Sequence, residues 1–197
     1  MRADIELHQR MWHGSSMPQE QQVDPSKGLL VVYTGAGKGK STAAFGMGLR
    51  ALNRKMKVGV IQFLGGTTSS AEYQMLGQHP LCDFQIFGND CSWQSKDRNA
   101  DMVFVMNAWA EAKRMMADPS YHMVILDEVN LLLKHQYLSL DALIRALKQR
   151  RPELHVVLTG RNAPFELLDF ADMVTEMRAM KHPFDKQRAP AQAGIEY

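Results

Sequence analysis

The sequence predicts an α/β fold: one domain, a mainly parallel sheet, and helices on both faces of it. Three observations carry that expectation. The chain has 197 residues, which at ~150 residues per domain is about one domain. Short apolar runs rich in Val, Ile and Leu alternate with stretches whose apolar residues recur every three or four positions, the pattern of strands buried between helices. The first of these runs leads directly into a glycine-rich turn and then into a helix-forming segment. Parallel strands need crossovers, and here each strand candidate is followed by a helix candidate.

Composition narrows the class. Hydrophobic residues make up 45% and charged residues 22%, ordinary globular values that exclude a disordered chain, a collagen-like chain and a disulfide scaffold. The 23 basic and 21 acidic residues leave a net charge of +2. The densest basic group, Arg145, Lys148, Arg150 and Arg151, reads as a solvated helix end whose cations complement the helix dipole. A nucleic-acid binder would carry a stripe of such charge, so no nucleic-acid partner is expected. Cys82 and Cys91 have no partners at zinc spacing, which fits a reducing compartment. The N-terminal stretch MRADIELHQRMWHGSS has charges where a signal peptide has its apolar core. The longest apolar stretches, LLVVY and AAFGMGL, fall far short of the ~20 residues a membrane span requires. A cytoplasmic protein without a membrane partner is the expectation.

Residues 1–27 are polar and read as an arm outside the core; residues 28–197 form the domain. Residues 29–33 are a buried strand. The helix after the glycine turn carries Ala43, Ala44, Gly46 and Gly48, small residues that permit close packing on a sheet. Each glycine there weakens the helix by ~1 kcal/mol, so packing must hold it. Residues 57–64 are a second strand, 71–76 a short helix and 84–87 a weak third strand. Residues 101–117 form a helix whose apolar face is Met102, Val105, Met106, Trp109, Ala112 and Met116, ended by Asp118-Pro119. A strand at 123–126 runs into Asp127-Glu128. Leu140, Leu143, Ile144 and Leu147 mark a helix with Ser139 as its N-cap. A strand at 155–159 ends at Gly160-Arg161, followed by a helix near 164–170, a strand near 173–180 and an irregular tail. The 14 methionines read as adaptable core filler. Ligands of such folds sit beyond the carboxyl ends of the strands, so the loops at Gly35, Gly65, Asp127 and Gly160 should share one edge.

The turn reads Thr34-Gly35-Ala36-Gly37-Lys38-Gly39-Lys40-Ser41-Thr42. A buried strand before it and a helix after it give the context of a phosphate loop. Gly35, Gly37 and Gly39 can adopt positive φ and aim backbone N–H groups at oxyanions. The helix N-terminus adds its positive dipole end. Lys40 meets a phosphate as a point charge, and the Ser41 hydroxyl is a candidate ligand for Mg²⁺. In the usual pattern a glycine stands six residues before the lysine; here that position is Thr34, so the loop is one residue short. It also carries an extra cation, Lys38. Asp127 and Glu128 follow a buried strand, where phosphate-loop proteins place an acidic residue that holds Mg²⁺ directly or through water; carboxylates stabilising a helix N-terminus is the alternative. Arg50 and Arg161 are candidate phosphate contacts, with surface salt bridges as the other reading. No Ser-His-Asp pattern, HExxH motif or Cys-rich metal site occurs, and His182 reads as structural.

The segments GLLVVYTGAGKGKSTAAFGMGLRAL, VGVIQFLGG, VILDEVN, LTGRNAP, KHPFD and GIEY resemble the ATP:corrinoid adenosyltransferases of the CobA/BtuR type, in register from about Lys27 to Tyr197. The short loop is specific to that family among phosphate-loop proteins. The resemblance implies a P-loop NTPase-like domain and a homodimer. It implies transfer of the 5′-deoxyadenosyl group of ATP to the Co(I) centre of a corrinoid, with release of triphosphate, in coenzyme B12 biosynthesis or salvage. It implies Mg²⁺ or Mn²⁺ on Ser41, Glu128 and Asp127, and a reduced flavoprotein as electron donor. Lys38, Lys40, Arg50 and Arg161 would neutralise and align the leaving triphosphate. Residues 35–42, including Ala36 and Thr42, would cradle it. Trp93 matches an aromatic position implicated in displacing the lower axial base of the corrinoid, and packing of its loop to the core is the alternative role. Cys91 stands where the family usually has Phe. Ala36 replaces a usual Asn, and Gly65-Gly66-Thr67-Thr68 replaces a Lys-Gly-Thr-Trp stretch. The arm, with Trp12 and His13, would cap a partner's site. Two other readings stand beside the transferase: a non-catalytic ATP or corrinoid binder, and an ordinary P-loop kinase or NTPase.

Overall fold

The computed structural model describes residues 26–63, 71–87, 98–181, 192 and 194. The arm up to residue 25, Gly65 to Thr68, Cys91, Trp93, His182 and nearly all of the tail lie outside the described residues. Six strands form one all-parallel sheet: β1 Leu30–Thr34, β2 Val58–Gln62, β3 Cys82–Ile86, β4 Met123–Asp127, β5 His155–Thr159 and β6 Met173–Glu176. Six helices connect them: α1 Lys40–Asn53, α2 Ala71–Leu76, α3 Arg98–Ala117, α4 Val129–Lys134, α5 Leu140–Lys148 and α6 Phe165–Phe170.

The strand order is β3-β2-β4-β5-β1-β6. The connections through α1 and α2 run one way across the sheet, and those through α3 to α6 run the other way. Right-handed crossovers therefore put the two sets on opposite faces. Side-chain alternation feeds both layers. Leu30, Val32, Ile61, Val124, Leu126, Val156 and Leu158 pack with Val105, Ala108, Ala112, Met115, Leu132, Leu143, Leu147 and Leu167. Val31, Tyr33, Val58, Val60, Ile125 and Val157 pack with Ala44, Phe45, Ala51, Leu52 and Leu76. Each fully buried aliphatic side chain contributes about 1.5–3 kcal/mol of transfer free energy, so this two-sided core carries the fold.

The strand positions match the sequence expectations to within a residue or two, save at the C-terminal end of the last strand. Helix α2 occupies 71–76 as expected, and Ser139 caps α5 by accepting a hydrogen bond from the Ala142 N–H. Three details differ. The short helix α4 was not expected; six residues with three consecutive leucines give no periodicity to read. On α3 the buried stripe is Val105, Ala108, Ala112, Met115 and Met116, whereas Met106 is 63% exposed. Two alanines seat that helix on the sheet, and Met106 lies ~100° around the axis from Val105. Strand β6 stops at Glu176 rather than near 180, because the chain beyond it turns under the glycine loop. The methionines divide: Met115, Met116 and Met123 are core, while Met75, Met106 and Met180 face outward.

The glycines of α1 also differ from each other. A Cβ at Gly48 would lie 3.1 Å from Ile125 Cδ1, but one at Gly46 would meet nothing within 4 Å. Only Gly48 brings the helix close to the sheet. Gly46→Ala should therefore raise stability by about 0.5–1 kcal/mol through helix propensity, while Gly48→Ala should lower it. Urea unfolding of the two variants checks both signs.

Candidate functional site

The carboxyl ends of β1, β4 and β5 meet where the adjacent strands β1 and β5 send their chains to opposite faces, the place where open α/β sheets bind ligands. A cavity of about 420 Å³ opens there. Its lining comprises residues 37–42 of the glycine turn and first helical turn, Ala71 and Glu72 of α2, Glu128 after β4, Arg161 after β5, and Gly194.

The turn holds its shape for two separate reasons. Gly35 and Gly39 have φ of 97° and 100°, a region that side-chain-bearing residues rarely enter. Gly37 is needed for space: a Cβ there would lie 2.8 Å from both the Met177 carbonyl oxygen and the Arg178 carbonyl carbon. Residues 177–178 run directly against the turn. The Met177 N–H donates to Thr34 O at 2.8 Å, and the Gly37 N–H donates to Met177 O at 2.7 Å. The expectation that Gly37 aims its N–H at an oxyanion is thus corrected, since in this structure that N–H is held by the strap that residues 177–178 form against the turn. Ala36 is exposed and is not among the lining residues.

Lys40 is buried at the start of α1 and its ammonium donates to Gly37 O at 2.7 Å. Burial lowers its pKa from the usual lysine range; the Glu128 charge opposes that and the Arg161 charge reinforces it. Lys38 is exposed on the cavity rim. Arg50 is exposed on the last turn of α1 and does not line the cavity. Nine residues of helix separate it from Ser41, about 14 Å at 1.5 Å per residue, so this fold does not bring it to Lys40 and Arg161.

The acidic side has two layers. Asp127 is 1% exposed and does not line the cavity. Its carboxylate accepts from Thr159 Oγ1 at 2.7 Å, from Gln62 Nε2 at 3.0 Å and from the Ser41 hydroxyl. Burial pushes its pKa up, against the pull of those three donors. Thr159 Oγ1 also accepts the Glu128 N–H at 2.8 Å, which leaves its own proton for Asp127. Ser41 gives its proton to Asp127 as well, so its lone pairs are free for a cation. Glu128 sits at φ 61° and lines the cavity itself. Burial raises its pKa first and the Asp127 charge next, while Lys40 and Arg161 pull it back.

Of the residues expected at the site, the fold brings Lys38, Lys40, Ser41, Thr42, Glu128 and Arg161 around one space, with Asp127 directly behind. Gln62, Thr159 and Glu72 were not expected. Glu72 is carried in by α2, whose Tyr73 ring packs edge-on against Phe84 with centroids 5.3 Å apart; Phe84 in turn meets Phe45 at 5.6 Å. A polar residue at the carboxyl end of each central strand was the one signal that pointed to Gln62 and Thr159.

The model of the family "ATP:corrinoid adenosyltransferase BtuR/CobO/CobP" matches residues 26–197. The chain belongs to that family. It is 41% identical over 176 residues to the corrinoid adenosyltransferase CobA of Salmonella typhimurium, covering 89% of each chain. It is likewise 41% identical over 174 residues to a corrinoid adenosyltransferase of a Sinorhizobium species, covering 87% of this chain and 81% of that one. Among solved structures, the flagellar accessory protein FlaH of Methanocaldococcus jannaschii superimposes with a TM-score of 0.46 at 15% identity, covering 76% of this chain and 71% of that one. The match to the adenosyltransferase family takes in every strand and helix described above.

The two shifted groups set a pH dependence. At low pH Glu128 gains its proton above the ordinary glutamate value of ~4.3, and at high pH Lys40 loses its proton below the ordinary lysine value of ~10.4. The rate at limiting ATP should fall on both sides, with each limb displaced inward. In the residual rate of Glu128→Gln the acid limb should move away, and the alkaline limb should shift to lower pH, because Lys40 loses the negative charge that opposes its lowering. An unmoved acid limb assigns that titration to another group.

Proposed function

We propose that this cavity holds the triphosphate of ATP while the 5′-deoxyadenosyl group passes to the cobalt of a corrinoid. The observation that carries the reading is the convergence of Lys40, Ser41, Glu128 and Arg161 on one space at the end of a shortened phosphate loop. The family's reaction is ATP-dependent adenosylation of a corrinoid, and the chain's membership supports the same chemistry here.

The reaction asks little covalent work of the protein. Reduced cobalt supplies the electron pair that forms the new bond to C5′. The C5′–O bond breaks, and triphosphate leaves with the electron pair of that broken bond. No protein nucleophile is required. What the site must do is align the nucleotide and neutralise a leaving group that gains charge as the bond breaks. Lys40 is suited to the inner phosphates, its buried ammonium being released from Gly37 O. Arg161 has the geometry for a bidentate contact. Lys38 and Thr42 complete the rim, and the turn lines the space from Gly37 to Ser41.

A divalent cation fits the oxygen donors present. Ser41, with its proton committed to Asp127, and the Glu128 carboxylate would hold it, and Asp127 would act through Ser41. One or two protein oxygens with phosphate and water oxygens is the usual set for Mg²⁺, and the same donors suit Mn²⁺. When bound, such an ion offsets polyphosphate charge. Trp93 and Cys91 are proposed on the corrinoid side by the family resemblance. A homodimer, a reduced flavoprotein donor and a cytoplasmic setting belong to the same reading; among the described residues no helix is long and apolar enough to cross a membrane.

The test is direct. The protein is mixed anoxically with ATP, Mg²⁺ and chemically reduced Co(I) corrinoid, and the corrinoid spectrum is followed for a light-sensitive cobalt–carbon bond. Adenosylated corrinoid with one equivalent of triphosphate is expected. Lys40→Ala should cut kcat/KM for ATP by about 10²–10³-fold, the scale for loss of one charge-stabilising group. ADP and orthophosphate as products would overturn the reading in favour of an NTPase. ATP binding without product would leave a non-catalytic binder.

A further inference from the structure

We propose that Asn130 is a positioning residue of the adenosyl transfer, acting through Arg161; this rests on the reading of the cavity as the seat of the triphosphate. Asn130 does not line that cavity. It is fully buried, in the first turn of α4, two residues after Glu128. Its Nδ2 donates to Gly160 O at 2.9 Å. That oxygen belongs to the peptide joining Gly160 to Arg161, so the bond fixes the plane from which the Arg161 side chain departs.

Three further observations show how tight this joint is. Gly160 has φ 133°, and a Cβ there would lie 2.8 Å from Asn130 Cβ. One residue earlier, Thr159 Oγ1 accepts the Glu128 N–H at 2.8 Å. The turn after β5 is thus tied to the turn after β4 twice, on either side of Gly160. The Asn130 Oδ1 is buried and without a hydrogen-bond partner, so the amide serves here as a donor alone. A buried amide is unfavourable unless it meets a need, and the need here is the Gly160 carbonyl. An aliphatic residue would pack at this position and leave that carbonyl unpaired.

The consequence is a fixed relation between a carboxylate and a guanidinium. Glu128 and Arg161 face the same cavity, and the Arg161 charge acts on both Glu128 and Lys40. A cation that is placed in advance stabilises a leaving group better than one that must reorganise as charge develops. Asn130 supplies that placement for Arg161 from behind, without touching substrate.

The test is a double-mutant cycle read by calorimetric binding of inorganic tripolyphosphate, the leaving group itself. Wild type, Asn130→Ser, Arg161→Ala and the double variant are compared. Asn130→Ser should weaken binding by about fivefold in the wild-type background and by less than about twofold when Arg161 is already absent, since coupled residues are non-additive. Asn130→Leu, which keeps roughly the same volume and loses the donor, should give the same pattern, so the proposal does not hang on one variant's folding. In turnover, the kcat for adenosylation should fall while the corrinoid KM stays unchanged. Equal losses in both backgrounds mean a merely structural residue and overturn the proposal. So does unchanged tripolyphosphate affinity in both Asn130 variants while Arg161→Ala weakens it. If Arg161→Ala itself leaves tripolyphosphate binding intact, the phosphate reading of the cavity fails, and this proposal with it.

Discussion

Asp127 is a carboxylate with no access to water, at the end of the central strand of the sheet. Such a group is tolerated only if its oxygens are met by donors. The donors come from both neighbouring strands, Gln62 of β2 and Thr159 of β5, and from Ser41 of α1. Satisfying one buried anion thereby joins the second strand, the fifth strand and the phosphate-loop helix at a single point. The same bonds determine which way the hydroxyls point. The proton of Thr159 goes to Asp127 because its lone pair already holds the Glu128 N–H. Ser41 donates to the same carboxylate and itself lines the cavity. The chemistry at the surface of the site is thus decided one layer below it.

That layering separates the residues that line the cavity from those that place them. Lys40, Arg161, Glu128 and Ser41 belong to the first group; Asp127, Gln62, Thr159 and the Met177 strap to the second. The glycines of the turn serve both. Gly35 and Gly39 are required by φ, while Gly37 is required because another backbone lies against it. A glycine-rich motif read only as a phosphate cradle misses the second demand.

Much of this was legible in the sequence, for local reasons. Five-residue β-branched runs, Ser139 as a cap, and the strand–glycine–Lys-Ser–helix order each depend on neighbours within a few positions. The residues that were not legible act across the sheet. Thr159 reads as one more β-branched strand residue; its hydroxyl matters because of a partner 32 residues away. Gln62, Glu72 and Asn130 have the same character. Arg50 is the converse case: sharing a helix with Lys40 suggested proximity, but helix rise alone carries it to the far end of α1. Met106 shows how an apolar residue at correct spacing can still miss a stripe narrowed by two alanines.

The strap has a consequence for how the chain acquires its site during synthesis. Gly37 hydrogen-bonds to a residue 140 positions further along the chain. A nascent polypeptide therefore exposes the glycine motif early, yet lacks the backbone that braces it until β6 has emerged and docked on β1. Prematurely terminated products would contain the whole glycine motif without this brace. The brace thus arrives with the last strand of the sheet, after the residues of the turn, Glu128 and Arg161 have all been made.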